Sequence, residues 1–261
     1  MATLELNDIS VRFGGLLALS DISFSINSGE ILGLIGPNGA GKTTVFNVLT
    51  GVYRASSGDV QFNGKSLLGK RPHEIFKRGI ARTFQNIRLF ANMTAIENAM
   101  VARHCRSKKG VVGAIFRTRS QKEEERRIRE DAREALAFMG VEEFADTVAS
   151  NLPYGHQRRL EIARALSSKP QVLLLDEPAA GMNPAESAAL MKDISRISEL
   201  GVDVLLVEHD MKVVMGVCHR IVCVDHGVKI AEGGPDEIQN NDKVIEAYLG
   251  QPASDSTGTS P

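Results

Sequence analysis

Over the first thirty residues apolar side chains fall on alternate positions: Leu4, Leu6, Ile9 and Val11, then Ile22, Phe24 and Ile26. A period of two predicts half-buried antiparallel strands, one face on a core and the other in water. Ser28-Gly29 is a turn signal, and beyond it the pattern changes. Ile31-Leu32-Gly33-Leu34-Ile35 is apolar or glycine at every position, as in a parallel strand buried on both faces. Similar runs recur at 172–175, 204–207 and 220–224, the last followed by the turn Asp225-His226-Gly227 and a further strand at 228–230. Val60-Gln61-Phe62 before Asn63-Gly64 reads as another strand and turn. Helical spacing is expected after residue 44 and over 184–200, with Pro184 in the first turn. Residues 87–140 are helical in period and densely charged. Strands alternating with helices predict an α/β protein with a mainly parallel core sheet.

Between the apolar run 31–35 and the helix that follows lies Gly36-Pro37-Asn38-Gly39-Ala40-Gly41-Lys42-Thr43-Thr44. This meets G-x-x-x-x-G-K-[ST] in the strand-to-helix setting that distinguishes a phosphate-binding loop from a chance match. Its glycines let backbone N–H groups turn inward on a polyphosphate, at a helix N-terminus that favours anions. Lys42 can reach the β- and γ-phosphates, and the Thr43 hydroxyl can ligate Mg²⁺. Asp176 and Glu177 close the strand at 172–175, at the edge where open α/β sheets bind ligands. Asp176 is placed to organise Mg²⁺ and Glu177 to face the γ-phosphate as a general base. Three further residues are candidates with ordinary alternatives. His209 follows the strand at 204–207 and is either catalytic or structural. Gln85 can touch Mg²⁺ and the attacking water. Phe13 either stacks on adenine or fills the core.

The 261 residues carry a net charge of −1, which gives no electrostatic case for bulk nucleic-acid binding. Cys105, Cys218 and Cys223 form no C-x-x-C pair and suit a reduced, cytoplasmic setting. The first residues lack the basic stretch and apolar core of a signal peptide, and no apolar run approaches the roughly 20 residues needed to span a bilayer. Work at a membrane would therefore need a membrane-spanning partner. The stretch 117–134 interleaves both charge signs, as on an exposed helix, or as a surface for lipid headgroups or a partner's loop. Residues 110–116 are apolar but short. Residues 251–261 contain no large apolar side chain and are expected to be a disordered tail.

Taken in order, the phosphate loop, Gln85, the stretch 152–165, the stretch 172–178 and His209 resemble an ATP-binding cassette ATPase along nearly the whole chain. Leu152-Pro153-Tyr154-Gly155-His156-Gln157-Arg158-Arg159 is similar to the family's L-S-G-G-Q signature and its basic helix. The segments 83–90, 179–184, 208–211 and 246–250, with the Pro153-Tyr154-Gly155 signature, resemble more narrowly the G-type ATP-binding subunit of branched-chain amino acid importers. The resemblance implies a P-loop NTPase (RecA-like) core with an antiparallel β subdomain and an inserted α-helical subdomain. A core lobe of 1–85 and 164–250 is expected, with helices at 86–163. It implies ATP and Mg²⁺ as cofactors, with Thr43, Gln85 and Asp176 toward the metal, Glu177, His209 and Gln85 catalytic, and Phe13 on adenine. Pro153, Tyr154, Gly155 and His156 would face a nucleotide held by a second cassette ATPase subunit, identical or different. Residues 180–183 would communicate across that dimer. Two integral membrane permease subunits and a periplasmic or extracellular substrate-binding protein complete the implied assembly, at the cytoplasmic face of the membrane and without nucleic acid. The rivals are a urea or amide importer, a lipopolysaccharide exporter, or a soluble cassette ATPase.

Three positions depart from the family pattern. Pro153 replaces the signature serine and offers neither hydroxyl nor amide proton. Tyr154 replaces a glycine, and Asn183 replaces an aspartate. A weaker ATP site on the signature side is the expected consequence.

Overall fold

The computed structural model describes residues 2–105 and 119–249. The apolar run at 110–116, the first two residues of the charged stretch and the tail at 251–261 lie outside the described residues. No described helix is long and apolar enough to cross a membrane.

β1 (Ala2–Phe13) and β2 (Leu16–Asn27) form the expected antiparallel hairpin, closed by Gly14 in the left-handed region at φ +59°. β4 (Ser57–Phe62) pairs with the other side of β1, and β5 (Lys65–Ser66) with β4, giving a four-stranded sheet in the order β2-β1-β4-β5. The second sheet has six strands in the order β10-β9-β3-β8-β7-β6. These are β3 (Ile31–Ile35), β6 (Ile80–Arg82), β7 (Val172–Asp176), β8 (Asp203–Val207), β9 (Arg220–Asp225) and β10 (Val228–Gly233). All pairs are parallel except β9 with β10.

The uniformly apolar runs have a direct structural cause. Successive side chains of a strand point to opposite faces, and here each face has its own core. Leu32, Leu34, Leu174 and Leu205 face the antiparallel sheet and α1 (Lys42–Leu49), where they meet Leu4, Leu6, Ile22 and Phe46. Ile31, Ile35, Leu173, Leu175, Val204 and Leu206 face the other way, into a core with the remaining helices. Burying a Leu or Ile side chain contributes about 1.5–3 kcal/mol, so a polar residue at any of these strand positions would damage one core or the other.

After α2 (Pro72–Arg78) and β6, the chain leaves the sheet and returns to it only at β7, the strand beside β6. The excursion contains α3 (Ala95–His104), α4 (Arg119–Phe138) and α5 (Tyr154–Ser167). α3 starts at a capping box, Thr94 with Glu97. Its buried Asn98 donates to the carbonyls of Phe90, Met93 and Thr94. α4 carries the charged stretch and differs from a wholly solvated helix. Its outer face has the ion pairs Arg126–Glu130 and Arg127–Glu123, whereas Ile128, Ala132, Ala135 and Leu136 are buried. Asp131, beside that stripe, anchors the helix through Arg103 at 2.6 Å and Lys169 at 2.5 Å. α5 runs unbroken past residue 163, so the boundary expected there falls inside a helix.

α6 (Pro184–Glu199) begins with Pro184 at its first position, capped by Asn183 with Glu186 in a capping box. α7 (Met211–Val217) is capped by Asp210, and α8 (Pro235–Gln239) and α9 (Asp242–Leu249) end the described chain. The three cysteines are free, with Cys218 and Cys223 buried and Cys105 exposed.

Candidate nucleotide site

The phosphate loop turns between the end of β3 and the start of α1. Gly36 sits at φ +151°, where an added Cβ would lie 2.0 Å from the Val224 carbonyl oxygen, so only glycine fits. At Gly41, φ +107°, an added Cβ would lie 2.7 Å from the end of the Leu19 side chain and 3.2 Å from the Ala18 carbonyl oxygen. Pro37, Asn38, Gly39 and Ala40 form the crown, and Lys42, Thr43 and Thr44 open the helix. Lys42 Nζ donates to the carbonyls of Gly36 at 2.5 Å and Pro37 at 2.9 Å. Its ammonium is held on the loop's own backbone. Burial pushes the Lys42 pKa down, opposed by the negative charge of Glu177 and, more weakly, Asp176. An anionic polyphosphate would relieve that penalty.

Glu177 lies just past β7 at φ +46°, in the left-handed region, with its N–H donating to Val207 O at 2.9 Å. A non-glycine residue held there costs on the order of 1–3 kcal/mol and is found disproportionately at functional sites. The turn aims the carboxylate at two other candidates. Gln85 Nε2 donates to Glu177 Oε2 at 2.9 Å, and His209 Nδ1 stands 3.9 Å from the same oxygen. His209 lies two residues past the end of β8, and its side chain is 66% exposed. It also stands 3.9 Å from Glu208 Oε2. Glu208 is buried, which raises its pKa, although its Oε1 accepts the Ala179 N–H at 2.9 Å.

Asp176 has a partner that sequence reasoning missed. Arg82, on β6, places Nη2 2.9 Å from Asp176 Oδ2, both side chains being under 10% exposed. Its Nη1 donates to Asn47 Oδ1 on α1 at 2.8 Å, and its guanidinium lies against the rings of Phe46 and Phe84. An arginine at the end of a strand reads in sequence as a solvated group. Thr43 hydroxyl, Gln85 side-chain carbonyl and Asp176 carboxylate are hard oxygen donors of the kind that suits Mg²⁺, and one arginine contact to Asp176 Oδ2 leaves its Oδ1 for that role.

Phe13 does not fill the core. It is 45% exposed at the end of β1 and meets Tyr53 edge to face, with ring centroids 5.0 Å apart. Tyr53, a second exposed aromatic beside the candidate adenine surface, was also missed.

The signature turn is built from side chains. Pro153 is the N-cap residue of α5, and Tyr154, Gly155 and His156 form its first turn. The Tyr154 hydroxyl donates to Ala180 O at 2.9 Å, and its ring covers Gly181, where an added Cβ would lie 3.1 Å from ring carbon Cε1. Gly155 faces Glu186, and the His156 ring packs edge-on against Phe144. One turn further along α5, Arg158 is fully buried. It donates to the carbonyls of Phe84 at 2.8 Å and Gln85 at 2.7 Å, and pairs with Glu161 Oε2 at 3.1 Å. Glu161 Oε1 accepts the Arg88 N–H, and Arg164 donates to the Arg88 carbonyl. Burial raises the Glu161 pKa against the pull of Arg88's N–H, Arg158 and Arg164. This buried cluster fastens residues 84–88 to the signature helix. Asn183, where the resemblance expects aspartate, accepts the Glu186 N–H at 2.9 Å as the cap of α6, a role that Asn and Asp fill about equally.

A phosphate loop at the C-terminal edge of a parallel sheet, with glutamate, glutamine and histidine converging beside it, defines a P-loop nucleotide triphosphatase. Residues 19–180 match the family described as ABC transporter, and residues 228–254 match the family described as branched-chain amino acid ATP-binding cassette transporter. The chain is 45% identical over 249 residues to the high-affinity branched-chain amino acid transport ATP-binding protein BraF of Pseudomonas aeruginosa, covering 95% of this chain and 98% of that one. Identity and coverage are the same for LivG of Escherichia coli K12. A crystal structure of the ADP conformation of an ATP-binding cassette of an ABC transporter superposes with a TM-score of 0.83 at 31% identity, over 96% of this chain and 100% of that one. The chain belongs to the ABC transporter family and is an ATPase of that family.

Proposed function

We propose that this ATPase energises the uptake of branched-chain amino acids through separate membrane permease subunits, at the cytoplasmic face of the membrane. The substrate class is supported by the 45% identity to BraF and LivG and by the match of residues 228–254. The hydrolytic roles rest on one observation, the approach of Gln85 Nε2 and His209 Nδ1 to the same oxygen of Glu177.

In this reading the loop amides and Lys42 bind the phosphates, Lys42 exchanging the carbonyls of Gly36 and Pro37 for phosphate oxygens. Phe13, beside Tyr53, stacks on the adenine. Thr43, Gln85 and Asp176 would hold Mg²⁺, which would supply charge neutralisation at the phosphates. Arg82 fixes the aim of Asp176. Gln85 holds Glu177 Oε2, and the remaining oxygen accepts a proton from the attacking water. His209 turns its exposed ring to the γ-phosphate. Positioning and charge neutralisation carry most of phosphoryl transfer, and general-base assistance of this kind adds about 10²–10⁴ in rate. The signature turn serves a nucleotide held by a second cassette. Pro153 lacks a donor there and the Tyr154 hydroxyl is occupied by Ala180, which favours a weaker site on that side.

The test uses the chain assembled with its permeases in vesicles. Glu177→Gln is expected to bind ATP normally and lower turnover at least about 10²-fold, with leucine uptake lost in parallel. Lys42→Ala is expected to abolish nucleotide binding. Normal hydrolysis by Glu177→Gln would refute the base assignment, and ATP-driven uptake of urea but not leucine would refute the substrate.

A further inference from the structure

The backbone of Gly36, at the entrance to the phosphate loop, is held on both sides of its Cα. Its carbonyl accepts from Lys42 Nζ at 2.5 Å, and its N–H donates to the hydroxyl of Tyr248 at 2.9 Å. Tyr248 is 212 residues away in sequence, near the end of α9. In the proposed function the first of these bonds is the one that nucleotide disturbs, because the same ammonium is to serve a phosphate. The second does not compete with nucleotide.

α9 is positioned to make this contact by two further features. Asn241 caps it, its side-chain oxygen accepting the N–H of Lys243 at 3.0 Å, and Val244 anchors one face in the core at 3% exposure. An adjoining edge of the helix runs beside the loop: Lys243, Glu246 and Ala247 share a groove of about 720 Å³ with residues 37–40. Around Gly36 the remaining space is closed by the Val224 carbonyl. Burial pushes the Tyr248 hydroxyl up to about 12, so it remains a neutral phenol at any working pH.

We propose that Tyr248 is a positioning residue for the phosphate loop, its hydroxyl fixing the Gly36 N–H so that the loop keeps its nucleotide-binding shape when Lys42 turns to a phosphate. The C-terminal helix is then part of the nucleotide site without touching the nucleotide. The inference rests on the loop being the phosphate site, and it adds a residue outside every motif that defines that site.

The experiment compares the full chain with its Tyr248→Phe and Val244→Ala variants, using ADP as the probe and amide hydrogen exchange over residues 36–44. Phenylalanine keeps the ring and removes only the acceptor. Tyr248→Phe is expected to weaken ADP binding roughly three- to tenfold, the range that one net hydrogen bond supplies. Loop exchange should quicken and the KM for ATP should rise with kcat nearly unchanged, while Tm moves by no more than about 2 °C. Val244→Ala, which loosens the packing of the same helix, should lower Tm without weakening ADP binding by folded protein. ADP affinity within twofold of the parent in Tyr248→Phe would overturn the proposal. So would an equal loss of affinity in Val244→Ala, which would assign the effect to packing. If the parent chain fails to bind ADP, or Lys42→Ala binds it equally well, the phosphate-site reading fails instead.

Discussion

At the phosphate loop, the backbone is shaped by the absence of side chains: glycines at φ +151° and +107° fold it tightly, the Val224 carbonyl closes the space behind Gly36, and Lys42 folds onto its carbonyls. At the signature turn, backbone is held by side chains. Tyr154 is tied to Ala180, and one turn on, the buried Arg158 and Glu161 pin residues 84–88 to the same helix. In the proposed function the two regions serve the same reaction, and they are expected to fail differently. A loop shaped by glycine loses function when a side chain is added, because there is no room for one. A turn shaped by buried charge loses stability when a side chain is removed, because a partner is left ionised in a dry place.

That contrast can be broken, beginning with its largest consequence. Arg158→Met leaves Glu161 buried without its main cation and strips donors from the Phe84 and Gln85 carbonyls. It should cost about 3–5 kcal/mol of unfolding free energy, measured by denaturant titration. Pairing it with Glu161→Leu should restore a substantial part, since an apolar pair of similar volume is often no less stable than the buried ions. A loss under about 1 kcal/mol in the single variant would show that the cluster carries little. Gly36→Ala is next. Its methyl group meets a backbone oxygen, an overpacking worth about 1–3 kcal/mol, and calorimetry should show nucleotide affinity lost from protein that still melts cooperatively. Retained affinity would mean that the loop can rearrange, contrary to the comparison. Asn183→Asp is the smallest change. Both residues cap a helix equally well, so stability should stay within about 0.5 kcal/mol, and a larger drop would give the Asn183 amide nitrogen a role that the cap does not explain.

The same division governs what could be read from sequence. The strands were legible because five-residue apolar runs have few other uses, and the phosphate loop because glycine, lysine and threonine are fixed in a strand-to-helix frame. Arg82 and Arg158 were not legible. An arginine is ordinarily solvated, and nothing local announces that β7 brings Asp176 to Arg82, or that residues 84–88 cover Arg158. In Arg158-Arg159 only helical phase separates a buried charge from its neighbour, whose partner is Asp193 on α6 at 2.5 Å. Asp131 escaped for a related reason. It sits in a run of exposed charges, and its partners Arg103 and Lys169 come from α3 and from just past the end of α5. Exposure alone removed one of the two Phe13 alternatives, the core. Tyr248 lies in a segment that carries the family resemblance but outside the nucleotide motifs, and its proposed role depends on a hydrogen bond across 212 residues.

β6 and β7 are neighbours in the sheet, yet the chain between them makes the entire excursion through α3, α4 and α5. The helical lobe is therefore spliced into the sheet through two doorposts at opposite ends of this parallel strand pair, roughly 13 Å apart along the strands. One post is Thr83, whose N–H donates to Leu174 O, two residues before Gln85. The other is Gln171, whose N–H donates to Gly79 O at the foot of the strand that ends in Asp176. Seen as a piece of mechanical wiring, the covalent path from the lobe to the core has only those two entrances. A pull on the helices arrives first at the glutamine and at the strand bearing the carboxylates, before it can reach any other part of the sheet along the chain.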